Sequence, residues 1–142
     1  TEKIKHVDPD NVAVIGGRDI DPGERKQMAA SGIHVFSIHD IDRLGMNEVM
    51  RQAIEVASNG TDGIHVSFDV DAITPQEAPG VGTPVHSGLT VREAFLAAEL
   101  VALSGKLIAL DMVEINPILD ERNKTGILAC ELILAFLGKT VY

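Results

Sequence analysis

The sequence alternates between short apolar runs and longer segments with helical spacing, and this order constrains the fold more than any other feature. Four apolar runs predict strands over residues 12–16, 33–38, 63–68 and 106–115. Runs of this kind are typical of parallel strands buried on both faces. The alternation of strand and helix predicts an α/β fold of three layers, αβα, with a mainly parallel sheet. No repeat or linker divides residues 1–142, so we expect a single α/β domain.

Residues that cap helices mark where the helices begin and end. Each predicted helix is followed by glycine, which is common at helix C-termini. The first predicted helix covers residues 22–30 with Asp21 as N-cap, and the second is a long one from the N-cap Asp40 to Asn59-Gly60. The third runs from Thr90, where Glu93 completes a capping box, to Ser104-Gly105. The last one ends near Leu137.

Two carboxylates, Asp69 and Asp71, stand two residues apart where the third predicted strand ends. Side chains alternate along a strand, so both point the same way, with Cα atoms roughly 6–7 Å apart. Burying two like charges this close is costly, and a hard cation between them would offset the repulsion. The spacing alone leaves a second interpretation equally open, in which both residues are solvated or accept hydrogen bonds in a turn.

Other polar residues follow the remaining strands. Ligand sites of open parallel sheets lie beyond the carboxyl ends of the strands, so Asp21 and Glu114 are expected to converge with the Asp69–Asp71 pair. Buried glutamate is rare unless it is paired, and structural and functional roles for Glu114 remain equally open. Asp21 could serve only as a helix cap, and Thr83 could only order its turn.

Composition excludes several classes of function. The net charge of −9 argues against nucleic acid as a partner, and no uncharged apolar run is long enough to span a bilayer. A single cysteine, Cys130, forms no internal disulfide, which favours a cytoplasmic location. Cys130, in the apolar run of the last predicted helix, is expected to be a buried packing residue. His65 lies in an apolar run and is expected to be a core histidine.

Four motifs carry a resemblance to a known family. The chain resembles the C-terminal half of the arginases, particularly the bacterial ones, over nearly its whole length. The motifs are Arg-Asp-Ile-Asp-Pro-Gly-Glu at residues 18–24, Ile-His-Val-Ser-Phe-Asp-Val-Asp at 64–71, Gly-Thr-Pro-Val at 82–85 and Glu-Ile-Asn-Pro at 114–117. The resemblance therefore implies about half of the arginase fold.

The resemblance implies roles for individual residues. Asp69 matches a carboxylate that bridges two manganese ions, and Asp71 matches one that chelates a single ion. Glu114 matches the partner of the substrate guanidinium, Asp21 matches the partner of the α-amino group, and Thr83 matches a substrate-pocket residue. Two further residues lie beside that pocket, Asp19 and Glu24.

The resemblance also implies an activity. Relatives hydrolyse L-arginine to L-ornithine and urea with a hydroxide activated by two Mn²⁺ ions, and they form homo-oligomers, either trimers or hexamers. The segment at residues 18–24 favours a substrate with an α-amino group. Agmatinase or another ureohydrolase is the alternative enzyme, and a non-catalytic assembly or regulatory module is the alternative outside the enzymes.

The chain lacks two motifs of the family's N-terminal half, Gly-Gly-Asp-His and Asp-Ala-His-x-Asp. In relatives these motifs supply most metal ligands and the proton-donating histidine, so no catalytic residue is assigned here and the isolated chain is expected to be inactive. The strand with the second motif lies, in relatives, between the strands matching residues 12–16 and 63–68. We therefore expect the sheet to close by new pairing or the chain to oligomerise, and the alternative is that the chain belongs to a larger molecule.

Overall fold

The structure of the chain is a computed structural model that describes residues 6–140. Its strands are β1 (Ala13–Gly17), β2 (His34–Ser37), β3 (Ile64–Asp69) and β4 (Leu107–Val113). Its α-helices are α1 (Pro22–Ser31), α2 (Ile38–Leu44), α3 (Met46–Ser58), α4 (Val91–Ser104) and α5 (Lys124–Phe136). Single 3₁₀ turns precede β1, at Pro9–Asn11, and follow β3, at Val70–Ala72.

The strands form two separate parallel pairs, β1 with β2 and β3 with β4. The predicted α/β class with parallel strands is therefore confirmed, although the strands of residues 6–140 do not form one continuous sheet. Strands β1 and β3 do not pair with each other, so the expected closure by new pairing is wrong. Within residues 6–140, each of these two strands keeps one edge without a neighbouring strand.

Helices, rather than strand pairing, join the two sheets. Helix α3 packs on α4, and α4 packs on α5. Val49 of α3 and Ala94 of α4 are completely buried, and the ring of Phe68 on β3 meets that of Phe136 on α5 edge to face, with centroids 5.7 Å apart. The hydrophobic core is continuous across these elements, so burial of apolar surface holds the two halves together.

Two of the predicted helix starts are confirmed in detail. Asp21 caps α1 in a capping box with Glu24, and Thr90 caps α4 in a capping box with Glu93. Each cap satisfies N–H groups that the first turn of a helix leaves without partners.

The long second helix is two helices, and Asp40 as its N-cap is wrong. Ser37 caps α2, and its hydroxyl accepts from the backbone N–H of Asp40 at 3.3 Å. The Asp40 carboxylate accepts from the backbone N–H of Ser37 at 2.9 Å, which completes a capping box. Gly45, with φ +80°, then separates α2 from α3.

Two residues expected in the core are exposed. His65 lies on β3 with 54% of its side chain accessible, and its Nε2 is 2.9 Å from the Asp111 carboxylate on β4. Cys130 belongs to an exposed apolar stripe of α5 with Ile127 and Leu134, on the side away from the core. Both predictions fail because apolar surroundings in the sequence do not show which face of an element is covered. Within residues 6–140, no helix is long and apolar enough to cross a membrane.

Close backbone packing at Gly88 fixes the loop after β3. The N–H of Leu89 donates to the carbonyl of Ala72 at 2.8 Å, and the N–H of Thr74 donates to the carbonyl of Leu89 at 2.9 Å. A Cβ atom at Gly88 would lie 2.5 Å from the Ala72 carbonyl oxygen and 2.8 Å from the Thr74 nitrogen. The loop can take this path only because residue 88 has no side chain.

We expect Gly88→Ala to lower the free energy of unfolding by about 2 kcal/mol, because backbone atoms must move to admit the methyl group. Urea denaturation followed by circular dichroism measures the change. Gly82→Ala in the same loop is the matched control, because a Cβ there has no atom within 4 Å, and it should change stability by less than about 0.5 kcal/mol. Equal effects of the two substitutions would contradict this account of the loop.

Candidate metal and substrate site

The turn after β3 places two carboxylates side by side. Asp69 ends β3 and caps the 3₁₀ turn that follows, where its Oδ1 accepts from the backbone N–H of Asp71 at 3.0 Å. The hydroxyl of Thr83 donates to Oδ2 of Asp71 at 3.0 Å. One oxygen of each carboxylate is thus held by a hydrogen bond within the site.

Glu114 reaches the same place from the neighbouring strand. The parallel register sets Asp69 opposite Val113, so the next residue, Glu114, follows at the same end of the sheet. Glu114 has φ +63°, a left-handed backbone that is uncommon for residues other than glycine. Its negative charge is one of the causes that raise the pKa of Asp69.

Burial, together with the negative charges of Asp71 and Glu114 and against the lowering effect of the Asp71 N–H, raises the pKa of Asp69 to about 6. A carboxyl group with this pKa is poorly stabilised as an anion. A cation placed among these three side chains would stabilise the charged form of Asp69. Carboxylate oxygens are the donors that hard divalent ions such as Mn²⁺ prefer.

Two loops are tied together so that Thr83 and Glu114 keep their places. The N–H of Asn116 donates to the carbonyl of Gly80 at 2.8 Å, and the N–H of Gly80 donates to the hydroxyl of Thr125 at 2.7 Å. Thr125 is completely buried. The carboxylate of Asp120 accepts from the N–H of Thr125 at 3.0 Å, which anchors the start of α5 to the same loops.

Arg18 brings the carboxyl end of β1 to this site. Its Nη2 donates to the backbone carbonyl of Asp71 and, at 3.0 Å, to that of Val85. Its Nε is buried without a hydrogen-bond partner in the described part of the chain. Arg18 is indicated by the sequence only as part of a motif, and Thr125 is missed, because their partners Asp71 and Gly80 lie 53 and 45 residues away. Asp120 is missed although its recorded hydrogen bonds, to residues 121, 125 and 126, are local.

Three of the predicted site residues lie on the loop that follows Arg18 and in the first turn of α1, and all three are exposed. Asp21 accepts from the N–H of Gly23 at 2.6 Å and of Glu24 at 3.0 Å, and Glu24 accepts from the N–H of Asp21 at 3.2 Å. Asp19 precedes them with φ +52°. The structure therefore brings together Asp69, Asp71, Thr83 and Glu114, whereas the recorded hydrogen bonds of Asp21 and Glu24 are local to the α1 cap.

No three side chains of His, Cys, Asp or Glu between residues 6 and 140 are grouped so as to hold a metal ion. Asp69 and Asp71 can therefore supply only part of a ligand set. Their oxygen donors fit a hard cation.

Comparison with known proteins shows which family this chain resembles in sequence and in structure. The sequence model of the arginase family matches residues 2–138. The chain is 47% identical over 137 residues to the arginase of Bacillus subtilis strain 168, which covers 96% of this chain and 45% of that protein. The crystal structure of Bacillus caldovelox arginase matches with a TM-score of 0.92 at 44% identity, over 96% of this chain and 46% of that one.

A more distant structural match is a hypothetical agmatinase from Burkholderia thailandensis, with a TM-score of 0.78 at 26% identity, over 92% of this chain and 39% of that one. These matches define the class as ureohydrolase. Within that class, the chain belongs to the arginase family. It spans about half the length of the relatives that it matches.

The raised pKa of Asp69 has a consequence for stability in metal-free buffer. The folded state holds a proton on Asp69 up to about pH 6, above the range of an unfolded aspartate, so stability should fall as the pH rises through this window. We expect Asp69→Asn to raise the free energy of unfolding by about 1 kcal/mol at neutral pH, a value reduced to allow for the partial exposure of Asp69. At about pH 4 the substitution should change the free energy of unfolding by nearly nothing.

Urea denaturation across this pH range, with a chelator present, measures the difference. Asp62→Asn, at an exposed position before β3, is the control and should give a difference that does not vary with pH. A pH-independent effect of Asp69→Asn would contradict the predicted cost of ionising Asp69 in the folded state.

Proposed function

We propose that this chain supplies the carboxylate side of an active site that hydrolyses L-arginine to L-ornithine and urea. The observation that carries the proposal is the meeting of Asp69, Asp71, Thr83 and Glu114 at one end of β3 and β4, in a chain of the arginase family. Identities of 44–47% to bacterial arginases favour arginine over agmatine as the substrate.

Asp69 and Asp71 are proposed as the residues of this chain that would hold Mn²⁺. When bound, the ions supply Lewis acidity and lower the pKa of water near the substrate. The fixed hydrogen bonds to Asp69 Oδ1 and Asp71 Oδ2 restrict the rotation of both carboxylates, so the remaining oxygens are already oriented. Such preorientation reduces the entropy lost on ion binding.

Glu114 is proposed to bind the substrate guanidinium. A guanidinium presents a planar fork of N–H donors, and a carboxylate accepts two of them in parallel. Thr83 lines the pocket beside Asp71, and Asp21 is proposed to receive the substrate amino group, with Asp19 and Glu24 beside it. The ties from Gly80 to Asn116 and Thr125 hold Thr83 and Glu114 at a fixed separation.

No residue of this chain is proposed to deliver a proton to the leaving amine, and two carboxylates alone should bind Mn²⁺ weakly. The complete site therefore requires groups from the part of an arginase-family protein that this chain does not match. A cytoplasmic setting and a homo-oligomeric assembly remain part of the proposal, the first because Cys130 is the single cysteine.

A chimera tests the substrate. Residues 2–138 of this chain replace the matched segment of Bacillus subtilis arginase, and the purified protein with Mn²⁺ is assayed for urea release. We expect turnover of arginine well above that of agmatine, and no urea release by the isolated 142-residue chain with Mn²⁺. Arginine and agmatine share the guanidinium and an amino group and differ in the α-carboxylate. Preference for agmatine would favour the agmatinase alternative.

In the same chimera, Glu114→Gln should lower kcat/KM for arginine roughly 100-fold, because one accepting oxygen and the negative charge are lost opposite the substrate guanidinium. Glu121→Gln, at an exposed loop position, is the matched control and should leave kcat/KM within twofold. Steady-state kinetics at saturating Mn²⁺ measure both. Equal kinetics of the two variants would refute the role of Glu114.

A further inference from the structure

Arg18 lies between the residues that are proposed to bind the two ends of the substrate. It follows β1 and precedes Asp21 by three residues. Its side chain reaches the turn after β3, where Nη2 donates to the backbone carbonyl of Asp71, 53 residues away in the sequence. The same nitrogen donates at 3.0 Å to the carbonyl of Val85, 67 residues away. One nitrogen atom thus joins three segments of the chain.

The guanidinium of Arg18 is held there at a cost. Its Nε is shielded from solvent and has no hydrogen-bond partner between residues 6 and 140. A buried donor without a partner opposes folding. The two bonds from Nη2 have a charged donor and are stronger than bonds between neutral groups, which explains why the side chain keeps its place. Arg18 therefore fixes the position of its acceptors while contributing little net stability.

A short and well-packed link joins Arg18 to Asp21. A Cβ atom on Gly17 would lie 3.1 Å from Cδ1 of Ile20, so the Ile20 side chain packs against the end of β1. Asp21 then caps α1 in a capping box, which fixes its carboxylate relative to the helix. Because both ends of this link are held, a displacement of Arg18 moves Asp21 as well.

The carbonyl that Arg18 binds belongs to a residue of the carboxylate pair itself. The N–H of Asp71 donates to Oδ1 of Asp69 at 3.0 Å, and its side chain accepts from the hydroxyl of Thr83 at 3.0 Å. A shift of the Asp71 carbonyl therefore reorients both carboxylates. The bond to Val85 also holds the loop that carries Thr83, two residues earlier.

We propose that Arg18 is a positioning residue that fixes the separation between the Asp69–Asp71 pair and Asp21, and that this separation sets the length of the guanidino amino acid that the site accepts. The inference rests on the proposed function, in which these groups act at opposite ends of the substrate. A ligand held at both ends binds well only when its length matches the distance between the two anchoring sites. Arg18 acts through the backbone of Asp71 and through the link to Asp21, without touching the substrate.

Hydrogen exchange on the chain alone, without metal or substrate, tests the contact with the turn. Arg18→Met removes the donors and keeps most of the side-chain length, so the Asp71 amide should exchange roughly tenfold faster as the turn loses this restraint. Arg18→Lys keeps a charged donor and should keep most of the protection. Arg25→Met, at an exposed position of α1, is the matched control and should leave the Asp71 amide unchanged. Circular dichroism confirms that each variant is folded. Unchanged exchange in Arg18→Met overturns the proposal.

Substrate length is tested in the chimera with L-arginine, L-homoarginine, which is one methylene longer, and the homologue that is one methylene shorter. We expect the chimera without further substitution to prefer arginine roughly tenfold or more in kcat/KM, as one methylene typically allows. Arg18→Met should lower this preference to about twofold, mainly through a higher KM for arginine, because the separation of the two anchoring sites is no longer fixed. Arg18→Lys should restore most of the preference.

A purely structural defect would lower kcat/KM for all three substrates by the same factor. A chimera that hydrolyses arginine and keeps its length preference in Arg18→Met therefore overturns this inference and leaves the proposed function intact. A chimera that releases urea from none of the three refutes the proposed function and with it the assignment of substrate length. Hydrogen exchange separates the two failures, because it reports on Arg18 without substrate.

Discussion

The half-buried carboxylate of Asp69, placed beside two further carboxylates at one end of β3 and β4, is the constraint on which the rest of this structure depends. Parallel pairing in register forces Asp69 and Glu114 to the same edge, and the 3₁₀ turn brings Asp71 beside them. Hydrogen bonds from Thr83 and from the Asp71 N–H offset only part of the cost, because burial still raises the pKa of Asp69 to about 6. Such an electrostatic cost is typical of functional sites, where a bound ligand of opposite charge offsets it.

The structural support for this edge comes from elements far from it. The ties from Gly80 to Asn116 and Thr125 hold the loops that carry Thr83 and Glu114, while Arg18 connects β1 to the turn after β3. The core among α3, α4 and α5 provides the rigid base for these loops. The two strand pairs can therefore keep their relative position even though no strand joins them, since the helices beneath them are packed against each other.

Local signals in the sequence predicted most elements, and tertiary contacts account for what they missed. The caps at Asp21 and Thr90 were predictable because the side chain and its N–H partners lie within three residues. The break at Gly45 was missed because one apolar face continues across it, and the apolar run around His65 gave no sign that its side of β3 is exposed. For the site, strand ends indicated Asp69, Asp71 and Glu114, whereas the contact of Thr125 with Gly80, 45 residues away, is not encoded in the spacing.

The unpaired edges of β1 and β3 also bear on how the chain behaves in concentrated solution. Exposed strand edges are templates for pairing between molecules and are a common origin of aggregation. The short length of β1, five residues, and the net charge of −9 both oppose this growth, the second by long-range repulsion between molecules. Because salt screens such repulsion within about 10 Å at 0.1 M, colloidal stability of this chain should depend on ionic strength more than that of a protein whose strands are all paired.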